Sequence, residues 1–557
     1  MLLVVAAAFG TVAWRWWSQP YQEVVAALLV HYDRSARVDL FTSDFLTPAR
    51  FRWLRAWVTA NFILCASALV VLLRYRPAAR RYSSRLGRAA GRQYDGWRGF
   101  WRSLTPGQRR LVGWTLVVLT GYRVFLLVTR PPGTDEAYSF FAFVDRGAAV
   151  ALAYYPIPNN HVFSNLLAAG VHYLIDDARW TMRLVPLLAS TCLTVWLFRR
   201  AHHLAGFGAA YFVAVGWSWT PKVLLFATEG RGYMLMTLFA WILALGAMRM
   251  VRPPLTTKRP DAAQTLGLLW IAATALGFLT VPTFLFAYVA ASAFVGGWAL
   301  YERNFLLIRR LIAWTAFAAA LTLWFYAPLL LTNGWEAVAG NKYVRPTGFG
   351  SLRIFITGMR PGSDVVTTGL AVLAGVVVLL RLRSLTPEAR RWAWLVAATL
   401  VVPVGVILVQ QRLPPIRSYL FQSPFVWLSV ALSMVALRKW AMLPRWAAGV
   451  PAALFVGYCT WATERGRVHH RAGYEDYLGV VEAALPLDTP RMRVTDDHYA
   501  LFVRYEFAAR QRPLVLYSDT TRSYPELDLD VLPRGATPPL AGEVAYENDQ
   551  VIVWRLR

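Results

Sequence analysis

A polytopic α-helical membrane protein with a small C-terminal α/β extracytoplasmic domain is the fold class that the sequence predicts, and three observations predict it. Of 557 residues, 57% are hydrophobic and only 16% are charged. Apolar runs of roughly 17–22 residues recur along the chain, the length that crosses a bilayer core of about 30 Å. Beyond residue 461 these runs stop, and short alternating pieces replace them. The net charge of +27 raises nucleic-acid binding as one reading. The arginines, however, sit in short segments between apolar runs, the positive-inside pattern of cytoplasmic loops, so no nucleic-acid partner is expected. Cys65, Cys192 and Cys459 stand singly in apolar stretches. They predict neither a disulfide framework nor a zinc site.

The elements follow in order. Residues 1–17 lack a basic leader and "WRWWSQP" is a poor cleavage site, so a first span is expected there rather than a signal peptide. The second span is 54–73. Residues 74–110 are rich in arginine, with Asp95 as their only acid. This segment is expected on the cytoplasmic side, lying on anionic lipid with Trp97, Phe100 and Trp101 as anchors. Residues 1–110 thus form an N-terminal two-span extension. Span 111–129 must then run outward, which places the loop from Arg130 outside. The stretch 161–175 is apolar but is followed at once by "DDARW". It reads as a helix lying on the outer interface, because a crossing there would invert every later loop. Spans at 179–198, 207–226, 232–250, 264–281, 283–300, 311–331, 365–380, 392–410, 419–437 and 445–461 bring the total to about 13 by window length. The core is 111–461, and 462–557 is expected outside the cell as a small α/β domain.

Four groups at the outer face carry the chemistry. "TDEA", with Asp135 and Glu136, suits an N-capped helix start. "NNH" puts His161 at the head of the interfacial helix. "TEGRGY" brings Glu229, Arg231 and Tyr233 to the mouth of a span, where a snorkelling arginine with a compensating acid is the plain reading. "PPIRSY" does the same with Arg417 and Tyr419, residue types common as membrane anchors. Each group is weak separately. Their sharing of one face is the informative coincidence. Further outer-loop bases, Lys342, Arg345, Arg353, Arg360 and Arg412 among them, either depart from the charge rule or meet an anionic ligand.

In this order, Asp-Glu in the first outer loop, "NNH" before an interfacial helix, "E-x-R-x-Y" and "P-x-R-x-Y" at later spans, the chain resembles the GT-C membrane glycosyltransferases. The nearest likeness is the protein O-mannosyltransferase and lipid A aminoarabinose transferase group, over about 111–461. Val162 stands where that group has proline after the histidine. The resemblance implies a glycosyltransferase in a bacterial plasma membrane. It would move a sugar from a polyprenyl-phosphate donor to a protein, lipid or glycan acceptor on the outer face. Asp135 would be the base, with Glu136 the second catalytic acid. Arg231 and Arg417 would clamp the leaving phosphate, since arginine binds phosphate in a two-pronged fork. His161, Tyr233 and Tyr419 would line the substrate site. Glu136 and Glu229 would orient the acceptor or hold a divalent metal, Mg or Mn. The rival reading is a lipid or glycan transporter or flippase, whose ionisable groups would sit inside spans, as Arg123 does.

Overall fold

The computed structural model describes residues 2–24, 47–155, 159–251, 260–335, 345–346, 365–437, 449–494, 496–517, 526–536, 541–548 and 550–556. Lys342, Arg353 and Arg360 lie outside the described residues. Eight of these helices are individually long and apolar enough to cross a membrane: Pro48–Arg74, Pro106–Thr129, Ala178–Ala205, Tyr233–Met250, Pro282–Tyr301, Phe305–Asn333, Pro387–Gln410 and Ile416–Leu437. The count of about 13 is therefore not reproduced, and the other five segments show why. Leu2–Ser18 and Val365–Leu380 have 17 and 16 residues. The apolar part of Pro260–Thr280 is short. The expected span 207–226 is two helices, Phe207–Trp219 and Pro221–Ala227. Pro221 has no N–H and fits the first turn of a new helix better than the middle of an old one. Gly449–Ala484 runs without a break from apolar into charged sequence, so the chain crosses position 462 in mid-helix. Val162–His172, at 11 residues, is too short to cross, as the reading of 161–175 required.

The helices are not equivalent. Ile416–Leu437 and Tyr233–Met250 bury 83% and 78% of their apolar windows inside the protein, whereas Pro48–Arg74 buries 11%. A helix apolar all round is either central or lipid-facing, and burial sorts these into a packed centre and a periphery. Large rings fill the centre: Trp217, Trp241, Trp392 and Trp427 are fully buried, with Trp241 stacked on Trp392 at 5.8 Å. The arginine-rich segment is a helix, Arg76–Ser103. Phe100 is buried against Phe198, His202 and His203, so it anchors the helix to protein rather than to lipid.

Two short strands, β1 (Arg345–Pro346) and β2 (Arg412–Leu413), pair antiparallel. The C-terminal region holds strands β3 (Arg491–Val494), β4 (Val515–Tyr517), β5 (Leu529–Pro533), β6 (Gly542–Glu547) and β7 (Val551–Leu556), which form a five-stranded sheet in the order β4-β3-β5-β7-β6. β3 pairs in parallel with β4 and β5, and β7 runs antiparallel to β5 and β6. Met492, Val494, Leu529, Val531 and Val553 pack against Val480 and Val481 of the long helix and Val503 and Phe507 of helix Asp497–Ala509. Strand β3 ends at Val494 and this helix begins at Asp497. The other face of the helix, with Tyr505, Leu501, Ala508 and Ala509, packs against Ala137, Phe140 and Phe141 of the segment that carries Asp135.

Candidate active site

Helix Pro106–Thr129 ends at Arg130 because Pro131 and Pro132 cannot continue it. Four residues after Arg130 a short helix, Thr134–Ser139, begins. Neighbouring residues on a helix point about 100° apart, and Asp135 and Glu136 diverge accordingly. The Asp135 side chain is 40% exposed, whereas that of Glu136 is fully buried.

Arg183, buried on the central helix Ala178–Ala205, grips Glu136 with a two-pronged contact, Nε to Oε1 at 2.6 Å and Nη2 to Oε2 at 2.9 Å. Its remaining N–H groups donate to the carbonyls of Leu127, Arg130 and Pro131 at 2.6, 2.9 and 3.3 Å. Carbonyls at a helix C-terminus have no partner within the helix, and here one guanidinium supplies it. The Tyr505 hydroxyl of the C-terminal domain adds a bond to Glu136 Oε1 at 3.3 Å. Arg179 donates from Nη2 to both carboxylate oxygens of Glu506 nearby. Glu136 is thereby a structural staple joining a helix end, a central helix and the C-terminal domain. Both its oxygens are committed in a closed pocket, which sets it apart from the exposed Asp135.

Asp135 faces the other way and meets both arginines expected to clamp phosphate. Arg231 Nη1 touches its Oδ2, and Arg417 Nη1 lies 3.0 Å from the same oxygen. Asn159 and Ser139 each donate to the Asp135 carbonyl, at 3.0 and 2.7 Å, and fix the backbone beneath it. Asn160 ties the carbonyls of Ala151 and Tyr154, both at 2.8 Å. His161 takes N–H groups of Arg231 on Nε2 at 3.3 and 3.1 Å. An arginine can only donate, so Nε2 is an acceptor and the ring is neutral. Burial, then the charges of Arg231 and Arg417, hold the imidazole well below its usual pKa, which agrees. The Tyr233 ring is edge-on to His161 at 4.8 Å, with the guanidinium carbons of Arg231 and Arg417 at 5.5 and 5.9 Å from its centre. Both cations thus lie over one aromatic ring.

The two glycines of "EGRGY" explain how this turn comes so close. A Cβ on Gly230 would lie 2.6 Å from that of Met182 and 3.1 Å from Glu136. One on Gly232 would lie 2.9 Å from His161 Nδ1. We expect Gly230→Ala and Gly232→Ala each to destabilise the protein by about 1–3 kcal/mol, the usual cost of overpacking. A melting-temperature drop of the detergent-solubilised protein is the measurement, and an unchanged value would mean that the turn can relax.

The structure therefore gathers Asp135, His161, Arg231, Tyr233 and Arg417. Glu229 lies beside them under Gly133, 3.5 Å from where a Cβ there would stand. Burial pushes its carboxyl pKa up, against the pull of Arg130 and Arg231. Tyr419 is instead buried in the main core against Phe286. A divalent metal does not fit. Among the described residues no cluster of three or more His, Cys, Asp or Glu forms. Glu136 is committed to Arg183, and Glu229 stands among guanidinium groups that would repel a cation. Sequence reading missed Arg183 and Tyr505, and carried Asn159 only as part of "NNH". Arg183 did leave a signal, as a charge inside an expected span, the feature noted only for Arg123.

The fold is that of the GT-C membrane glycosyltransferases. In particular, it matches ArnT from Cupriavidus metallidurans in the apo state over 80% of this chain and 98% of that chain, with a TM-score of 0.50 and 16% identity. The structure of the same protein bound to undecaprenyl phosphate matches over 79% and 98%, with a TM-score of 0.51 and 15% identity. No family model and no curated protein matches the sequence.

Proposed function

We propose that this protein is a membrane glycosyltransferase that takes a sugar from a polyprenyl-phosphate donor and gives it to an acceptor at the outer face of a bacterial plasma membrane. The observation that carries the reading is the meeting of Asp135 with Arg231 and Arg417 at the head of the two most buried spans. The fold it shares with a protein that binds undecaprenyl phosphate supports the choice of donor. Rigid central helices are where a reacting constellation should be mounted, since small displacements cost rate.

Asp135 accepts the proton of the acceptor's nucleophilic group as that atom attacks the anomeric carbon. The bond from that carbon to the phosphate oxygen breaks, and polyprenyl phosphate leaves. Positive charge develops at the sugar and negative charge at the leaving oxygen. Each guanidinium has five N–H donors, so Arg231 and Arg417 can hold the departing phosphate while keeping Asp135 aligned. His161 and Tyr233 orient the guanidinium groups. Glu136 holds the segment, and the C-terminal domain supports it through Tyr505 without touching the reacting atoms. A flippase is less well supported. Its ionisable groups belong near mid-membrane, and Arg123, the within-span charge, donates to the Ser218 carbonyl at 3.5 Å and forms no ion pair among the described residues.

The test is transfer from a lipid extract by the purified protein, with mass spectrometry of cell-envelope glycans in its presence and absence. Arg231→Lys replaces a fork by a point charge and should raise the donor KM about tenfold or more. A wild-type KM would leave Arg231 as an aligner of Asp135 and His161 only. For topology, Glu543→Cys on the exposed strand β6 should react with an impermeant maleimide in intact cells. Reaction only after permeabilisation would invert the orientation.

A further inference from the structure

The far end of helix Pro106–Thr129, remote from Asp135, carries a feature that glycosyl transfer does not use. A groove with about 100 Å³ of internal space opens between this helix, Ala178–Ala205 and Phe207–Trp219, and Trp97, Phe100 and Trp101 of helix Arg76–Ser103 close its mouth. It follows helix Pro106–Thr129 from Val112 to Leu119, a rise of about 10 Å. Its polar residues turn their polar atoms elsewhere. Thr115 Oγ1 bonds the Leu111 carbonyl at 2.8 Å and the Tyr211 hydroxyl at 2.7 Å. Thr194 Oγ1 bonds the Ser190 carbonyl at 2.8 Å, and Trp219 Nε1 donates to Thr460 at 2.9 Å. What faces the groove is hydrocarbon, so a sugar or a peptide would leave its polar groups unmet there.

The rim has the opposite character. Arg98 and Arg102 are exposed, each next in sequence to a tryptophan of the mouth, and Arg110 is exposed two residues before Val112. The Arg199 guanidinium lies 4.2 Å over the Trp97 ring. Residues 96–115 contain no acid. A hydrocarbon slot with a cationic, tryptophan-bearing mouth fits a molecule with a long chain at one end and a fixed anion at the other. We infer that this groove binds one acyl chain of an anionic phospholipid, with the lipid phosphate at the arginine rim. The lipid would fasten helix Arg76–Ser103 to the spans, as anionic lipid does for basic amphipathic helices. The inference does not depend on the proposed reaction.

The experiment uses the full chain in nanodiscs doped with phosphatidylglycerol or phosphatidylcholine, each carrying a diazirine on one acyl chain. Cross-linked peptides are mapped by mass spectrometry. Phosphatidylglycerol should label residues 112–119 and 194–219, and phosphatidylcholine about tenfold less. The Arg98→Glu/Arg102→Glu variant, altered only at exposed positions, should remove that preference. Leu116→Trp, which fills the slot from a half-exposed position, should remove the labelling of both lipids there. Equal labelling by the two lipids, or unchanged labelling in both variants, would overturn the proposal. So would displacement by unlabelled polyprenyl phosphate but not by unlabelled phosphatidylglycerol, which would assign the groove to an isoprenoid chain.

Discussion

Asp135→Asn should lower the rate of sugar transfer by about 10²–10⁴-fold, the contribution typical of a positioned base, while leaving the folded protein and its donor affinity in place. The substitution keeps the shape of the side chain, and one amide oxygen can still accept from Arg231 and Arg417. What disappears is the ability to take a proton. Because Asp135 faces outward while its backbone is fixed by Asn159 and Ser139, the loss should appear in kcat and not in melting temperature. Single-turnover transfer from a lipid-linked donor separates the two. A variant that turns over near the native rate would reduce Asp135 to an aligner of the arginines, and the base would then be sought at Glu229.

The parts of this arrangement that were legible in the sequence are those that depend on boundaries. Apolar runs locate helices because a bilayer imposes a length, and arginine-rich loops give them a direction. The four polar groups could therefore be placed on one face before any contact was known, and five of their residues do converge. The failures have a different cause. Tyr419 is one helical turn or less from Arg417, yet its ring enters the core, because side-chain direction at a helix start depends on local turn geometry. The sequence also did not show that Glu136 is held by Arg183, because that partner lies 47 positions away and a single sequence does not display such a pairing. The same holds for Tyr505, 369 positions from Glu136. The broken helix at Pro221 shows the limit of window length, which registers apolarity but not a missing N–H.

The Glu136–Arg183 pair leads to the largest expected effect on stability. Both side chains are fully buried and joined by two short contacts. Removing one member of such a pair strands the other charge in a medium that solvates it poorly, at a cost of about 3–5 kcal/mol. Glu136→Gln, conservative by shape, should therefore be among the most damaging of single changes, with much of the protein lost from the monodisperse peak on gel filtration. Arg183→Met should do at least as much harm, since it also releases the carbonyls of Leu127, Arg130 and Pro131. The double variant Glu136→Leu/Arg183→Met decides what the pair is for. An apolar replacement of a buried ion pair can be neutral, but those three carbonyls would remain unmet, so folding should recover only in part. If Glu136 is a staple, whatever folds should bind donor and transfer slowly, because the Asp135 segment is no longer tied down. If Glu136→Gln instead melts like the native protein and loses only kcat, then Glu136 reacts with substrate, and the two-pronged contact with Arg183 tunes a catalytic acid.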